Sequence, residues 1–304
     1  MNSKANIKQV TAPKITIITP VLNQVDYIEE TIQSVLYQNY SNLEYIIIDG
    51  GSTDGTMNII KKYSSQLTYQ TSEPDRGMYD ALNKGFSQST GELMGWINAG
   101  DILMPNCLPN LARVFSDVPQ LRWLQGLSTF MDIDGNTVIS RVGMQFSLMK
   151  FLKGQYEWIQ QESTFWHRSL WEDAGARIDH TLKLAGDFEL WFRFSQHATL
   201  YNIELPLGAW RIMPGQLSED KQKYHEEVQH VLTSFIAPPS ISKQLNKLNY
   251  YERLIQWCNR LRLQIPKWLK RRHMRTIGEN VSGIYYVFES NSFTIQKHAP
   301  GYWK

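Results

Sequence analysis

The first hundred residues alternate between two hydrophobic periods, and that alternation constrains the fold more than any other feature. Short apolar runs read as buried strands: Lys14–Thr19 (KITIIT), Glu44–Asp49 (EYIIID), Leu67–Ser72 (LTYQTS) and Glu92–Asn98 (ELMGWIN). Between them the spacing is helical. Ile28, Ile32, Val35 and Leu36 recur from about Gln24 to Gln38, a Ser/Asp-rich start after Gly50-Gly51 leads into a second helix, and Met78, Leu82 and Phe86 stripe a third. Units of this length imply right-handed crossovers and an α/β fold, a mostly parallel twisted sheet flanked by helices. Ligands of such sheets bind beyond the carboxyl ends of the strands. Those ends are Thr19-Pro20, Asp49-Gly50-Gly51, Ser72-Glu73-Pro74-Asp75 and Asn98-Ala99-Gly100-Asp101. Any one Asp there reads as a turn former or helix cap. Three acidic ends on one rim point instead to a cationic or hydroxyl-rich ligand.

Beyond Asp101 the pattern changes. A helix near Cys107–Phe115 precedes a hairpin turning at Asp134-Gly135-Asn136, then an aromatic-rich stretch, then a loop entering an amphipathic helix at Asp187. A strand within ATLYNIELPLGAWRI is followed by a helical tail, Ser240 to about Leu263, broken at Ile265-Pro266, and by a β-like close, SGIYYVFESNSFTI. The net charge of +2 is unevenly spread: Lys243–Arg275 holds ten Lys/Arg and one acid, Glu252. A basic, Trp-bearing tail suits an anionic membrane surface, or else a helix packed on the body with a solvated basic face. Nucleic acid is not expected as a partner, because no nucleic-acid-binding fold accompanies the charge. The polar N-terminus lacks the apolar core of a secretory signal, and no window reaches about eighteen consecutive apolar residues. Cys107 and Cys258 show no ligand spacing, so a cytoplasmic chain with two reduced thiols is expected, held peripherally, if at all, at the inner face of the plasma membrane.

Four stretches, ITIITPVLNQVDYIEETIQSVLYQ, EYIIIDGGSTDGT, SEPDRGMYDALNKGFSQSTGELMGWINAGD and AGDFELWFRF, stand in an order and spacing that resembles inverting family 2 glycosyltransferases of the GT-A fold. The resemblance runs from about Ile15 to about Ser218. The run from Asp75 to Gly85 is similar to bacterial members that build lipopolysaccharide, O-antigen or exopolysaccharide. It implies that Thr19, Pro20 and Asn23 cradle the nucleoside of a nucleotide-sugar, and that Asp49 accepts a hydrogen bond from its base, usually uracil. Glu73, Asp75 and Gly77 would lie against the donor, with Asn83 and Asn98 near it. Arg76 would meet a phosphate or Asp75. Asp54 reads as a helix cap, with a contact to the sugar or base as the alternative.

The same resemblance makes Asp101 the ligand of Mn²⁺ or Mg²⁺, although the usual paired acid is replaced by Gly100. Asp187 matches the catalytic base that deprotonates the acceptor hydroxyl. Gln161, Glu162 and Trp191 fall on the acceptor side, where Trp158, Phe165 and Trp166 are either sugar-stacking faces or core. Met213 stands where a metal-assisting His is frequent, leaving Arg211 to grip phosphate. The expected organisation is a catalytic domain over 1–235 and a basic helical extension over 236–304. The expected activity is transfer of a sugar from a UDP-sugar or similar donor to a glycan or lipid-linked acceptor. A sugar-1-phosphate nucleotidyltransferase is disfavoured by the lack of an N-terminal Gly-rich phosphate loop. The missing acid at Gly100 keeps open a non-catalytic protein that binds nucleotide-sugar or scaffolds a membrane complex.

Overall fold

A computed structural model describes residues 12–143, 147–155, 159–278 and 282–297. The predicted alternation is present as β1 (Ile15–Val21), α1 (Ile28–Leu36), β2 (Leu43–Asp49), α2 (Thr56–Lys62), β3 (Tyr69–Ser72), α3 (Met78–Ser87) and β4 (Leu93–Trp96). The chain continues through β5 (Ile102–Leu103), α4 (Cys107–Asp117), β6 (Trp123–Gln125), β7 (Ser128–Met131), β8 (Thr137–Arg141), α5 (Leu148–Leu152) and β9 (Thr164–His167). Then come α6 (Arg168–Asp173), α7 (Gly186–His197), β10 (Tyr201–Asn202), β11 (Gly208–Arg211), α8 (Lys221–Ser234), α9 (Pro239–Arg260), α10 (Lys267–Ile277), β12 (Ser282–Val287) and β13 (Ser292–Lys297).

The main sheet runs β10-β6-β9-β4-β1-β2-β3. Its pairs are parallel except around β9, which lies antiparallel between β4 and β6. This is the arrangement expected from the alternation: a mixed α/β sheet, mostly parallel, flanked by helices. The expected hairpin turns at Asp134-Gly135-Asn136 as β7 and β8, which pair antiparallel in a second sheet, β5-β11-β7-β8, while β6 joins the main sheet. Helix α1 starts with its apolar stripe at Ile28, four residues after the expected start near Gln24. Asn23 adopts a left-handed φ of 51°, and the N–H groups of Asn23, Gln24 and Val25 are donated to Ser52, Thr56 and Asp54 side chains. Those bonds dock the β1–α1 loop on the next unit and delay the helix to Ile28.

Helices cover both faces of the sheet. On one, α3, α6 and α7 bury Phe86, Trp166, Trp191 and Phe194; on the other, α1 and α4 bury Ile28, Ile32, Leu108 and Leu111. Each such side chain contributes about 1.5–3 kcal/mol, so an acid at Ile32 would undo the α1 contact. The C-terminal hairpin returns to the second of these cores through Ile284 and Phe293, and Arg113 on α4 stacks over Tyr286. Helices α9 and α10 rest on α5 through Leu248, Ile277 and Met149. No helix among the described residues is long and apolar enough to cross a membrane.

At the amino ends of the strands sits one buried carboxylate, Glu44, 2% exposed. It accepts from Thr16 Oγ1 at 2.5 Å, Thr90 N and Oγ1 at 2.7 Å, and Gly91 N at 3.2 Å, and it pairs with Lys14 Nζ at 3.1 Å. Burial alone would raise its pKa. The bonds from Thr16, Thr90 and Lys14 outweigh burial and hold it down to about 2.

Candidate active site

At the opposite, carboxyl ends of the strands opens a cavity of about 760 Å³, a size suited to a nucleotide-sugar. Its walls are the β1–α1 loop, Asn98 and Ala99 after β4, Met78 and Tyr79 on α3, Gln160–Glu162, the loop into α7, and the stretch from Met213 to Lys221. Five of the residues singled out in the sequence line it: Asn23, Asn98, Gln161, Glu162 and Asp187. Asp54 lines it too; its oxygens accept from Thr56 N, Thr56 Oγ1 and Val25 N in the turn before α2, whose N-cap position is Gly55.

Asp187 stands in the first turn of α7 and is 8% exposed. Its Oδ1 accepts from Phe188 N at 2.8 Å and, at a longer 3.4 Å, from the Tyr79 hydroxyl. Burial raises its pKa to about 6, against the lowering effect of those bonds. Glu162 is 2% exposed, and its Oε1 has no hydrogen-bond partner. Burial pushes its pKa well up, helped by the charges of Asp101 and Asp187. A side chain at position 208 would collide with the Glu162 carbonyl, so glycine there lets β11 press the Glu162 segment into the wall. The site therefore joins a carboxylate whose pKa burial raises to about 6 to a second carboxyl group that burial and neighbouring acids push well up, a combination suited to moving a proton.

Several expected site residues are engaged elsewhere. Thr19 turns its hydroxyl to Tyr45 at 3.0 Å inside the sheet, and Pro20 is buried in β1 opposite Ile48. Asp49 is fully buried and accepts from Gly51 N, Ser52 N, Ser52 Oγ and Ser72 Oγ, so it organises its own loop instead of facing the cavity. Glu73 pairs with Lys84 at 2.8 Å, and Asp75 accepts from Gly77 N; none of Glu73, Asp75 and Gly77 lines the cavity. Asn83 ties α3 to both backbone groups of Ile178 at 2.8 Å. Trp191 is a core residue, stacked 5.5 Å from Trp96 with 9° between planes. Phe165 and Trp166 are likewise core, at 1% and 0% exposure, and Trp158 lies outside the described residues.

Arg211 and Asp101 need the largest correction. Arg211 is 1% exposed. Its guanidinium donates to the carbonyls of Gly100 at 2.8 Å and Ile133 at 2.8 Å and pairs with Glu30 at 2.5 Å, leaving nothing for a phosphate. Asp101 is 3% exposed and absent from the cavity wall. Its Oδ1 accepts from Arg211 N at 3.0 Å and its Oδ2 from Gln161 Nε2 at 3.3 Å, and burial raises its pKa. A carboxyl so placed fastens β11 to the end of β4 and does not fit a metal ligand. Gly100 has no side chain, and a Cβ there would lie 2.9 Å from Met213 Cε, so a thioether fills that space. Thioethers are poor ligands for hard cations such as Mg²⁺ or Mn²⁺. Asn98 offers one neutral amide oxygen, buried and without a partner. Among the described residues, no group of three or more His, Cys, Asp or Glu side chains could hold a metal.

Sequence reasoning missed four contributors. Tyr79 reaches Leu184 O at 2.9 Å as well as Asp187. Glu227 on α8 accepts from the backbone N–H groups of Lys183, Leu184 and Ala185, clamping the loop that delivers Asp187. Lys183 and Lys221 line the cavity. Glu227 stands some forty residues from the loop it holds, a separation at which no local pattern signals the contact.

The comparisons agree with this architecture. The family described as Glycosyl transferase family 2 matches residues 16–171. A Mycobacterium tuberculosis relative, uncharacterized glycosyltransferase MT1564, is 30% identical over 188 residues, 60% of this chain and 69% of the relative. Uncharacterized glycosyltransferase RP339 of Rickettsia prowazekii is 24% identical over 238 residues, 75% and 73% of the two chains. Among solved structures, S. aureus TarS 1-349 in complex with UDP-GlcNAc superposes with a TM-score of 0.61 at 15% identity, covering 86% of this chain and 79% of that one. The longer S. aureus TarS is covered only to 48% of its length. Mannosyltransferase PcManGT from Pyrobaculum calidifontis, in complex with GDP-Man and Mn2+, gives 0.57 at 18% identity, covering 76% and 67%. At these identities the solved structures speak for the fold alone. With the family pattern spanning more than half of its length, this chain belongs to glycosyl transferase family 2.

Proposed function

We propose that the protein is an inverting glycosyltransferase that moves a sugar from a nucleoside-diphosphate donor, a UDP-sugar foremost, to a hydroxyl of a glycan or lipid-linked acceptor in the synthesis of a bacterial surface polysaccharide. The observation that carries this reading is Asp187, a buried carboxylate with a pKa raised to about 6 on the wall of a cavity at the carboxyl end of the sheet. Asp187 takes the proton of the acceptor hydroxyl as its oxygen attacks the anomeric carbon. In the same displacement the bond from that carbon to the nucleoside diphosphate breaks, and the diphosphate leaves with the electron pair. Glu162, protonated, donates a hydrogen bond across the site and fixes a sugar or acceptor oxygen. The ligands bound by structural neighbours, UDP-GlcNAc and GDP-Man, support a nucleotide-sugar in this cavity. A thermal-shift screen of nucleotide-sugars against wild type and Asp187→Asn, with nucleotide release measured for each, tests it. Both proteins should bind one donor class and only the wild type should turn it over; equal turnover removes Asp187 as the base.

The acceptor reading extends to the tail. Trp257 and Trp268 are 57% and 55% exposed and stand among Arg260, Arg262, Lys267, Lys270 and Arg271, with no acid between Arg253 and Gly278. Such a surface suits anionic lipid. Co-sedimentation with phosphatidylglycerol vesicles, absent with phosphatidylcholine and weakened by salt, is the expected result. Equal sedimentation with both lipids removes the electrostatic part of the reading.

A further inference from the structure

A donor diphosphate brings at least two negative charges into the cavity, and something on the protein must meet them. The divalent route lacks ligands here: Asp101 is occupied by Arg211 N and Gln161, Gly100 has no side chain, and the Met213 methyl occupies the space beside it. The guanidinium of Arg211 is spent on carbonyls and Glu30. Two lysines on the cavity wall remain. Lys183, on the loop before α7, donates its ammonium to Arg76 O at 2.8 Å and stands 4.0 Å from where a Gly77 Cβ would lie. Lys221 opens α8 at the end of the wall that begins with Met213. Among the described residues neither lysine pairs with a carboxylate. A third wall cation, Arg141, lies over the Phe130 ring at 5.4 Å.

We infer that the donor diphosphate is held in this cavity by side-chain cations, Lys183 and Lys221, and not through a divalent metal. Ammonium groups on flexible stems bind phosphate as point charges. The Glu227 clamp on Lys183 N, Leu184 N and Ala185 N sets the Lys183 backbone in place, so the cation and the base Asp187 arrive on one loop. The inference rests on the nucleotide-sugar reading above, and its test separates the two.

The experiment is calorimetric titration of the full chain with UDP and with uridine, in excess EDTA and in millimolar Mn²⁺. Wild type should bind UDP with affinities within about twofold in the two conditions. Lys183→Ala and Lys221→Ala should each weaken UDP by roughly tenfold or more and leave uridine nearly unchanged, a contrast that a merely structural role would not produce. Lys183→Arg should restore most of the affinity. UDP binding that requires Mn²⁺, or lysine variants that bind UDP like wild type, would overturn the inference while leaving the donor reading intact. Absence of binding to UDP, GDP, dTDP and CMP alike, with or without metal, would overturn both. Both lysines are exposed, so the variants should fold with unchanged melting temperatures.

Discussion

The two ends of the central sheet bury carboxylates in opposite ways. At the amino ends, Glu44 is surrounded by donors, two threonine hydroxyls, two backbone N–H groups and a lysine, and stays ionised down to a pH of about 2. At the carboxyl ends, Asp187 and Glu162 are also shielded from water but undersupplied, and their pKa values rise. Low exposure thus accompanies a structural anion in one place and reactive acids in the other. Two differences act together: Glu44 lies closer to the surface, beside the partly exposed Lys14, and it has more donors within reach.

Substitutions can break this contrast. The largest effect is expected from Asp187→Asn, which should lower transfer roughly a thousandfold while UDP affinity changes less than twofold; turnover and calorimetry read the two separately. Next is Glu44→Ala, which strands the donors around it and should cost about 3 kcal/mol of stability, measured by urea denaturation, with UDP affinity of the folded protein kept. The pH profile sharpens the comparison. A base with its pKa near 6 predicts that kcat/KM rises with pH and levels off above about 6. Tyr79→Phe removes a bond that lowers the Asp187 pKa, so the acid limb should move to higher pH. The smallest effect is expected from Asp101→Asn. Its carbonyl can still accept from Arg211 N, and its amide can meet Gln161 Oε1, which has no partner in the wild type. Fold and UDP affinity should survive. Because the native pKa is raised, the stability that comes from keeping Asp101 protonated is full below the unfolded value and lost as pH rises through the folded one. The variant should therefore melt above wild type at alkaline pH and match it near pH 4. Loss of UDP binding in Asp101→Asn would return the metal to that side chain.

The alternation of periods made the sheet legible from the sequence, and the four strand ends marked the correct rim, because both follow from local chemistry. Of the residues at those four ends, Asn98 and Ala99 line the cavity, while Asn23, Gln161, Glu162 and Asp187 were found through the family resemblance. What could not be read was the direction of each side chain at a strand end. Asp49 and Asp101 look alike in sequence to a ligand-facing acid, yet Ser52, Ser72 and Arg211 N turn them inward. Arg211 was lost to Glu30 and to the carbonyls of Gly100 and Ile133, which stand 181, 111 and 78 residues from it. Lys183 and Lys221 carry no motif, and only the fold brings them to the same wall.

The central claim, that the carboxyl end of the sheet holds a carboxylate poised near neutrality while the amino end does not, is tested most directly by carboxyl ¹³C NMR titration with Asp187→Asn and Glu44→Gln as assignments. The account predicts that Asp187 titrates near pH 6 and that Glu44 remains ionised to below pH 3. An Asp187 midpoint at the ordinary value near 4, or a Glu44 midpoint above it, would contradict it.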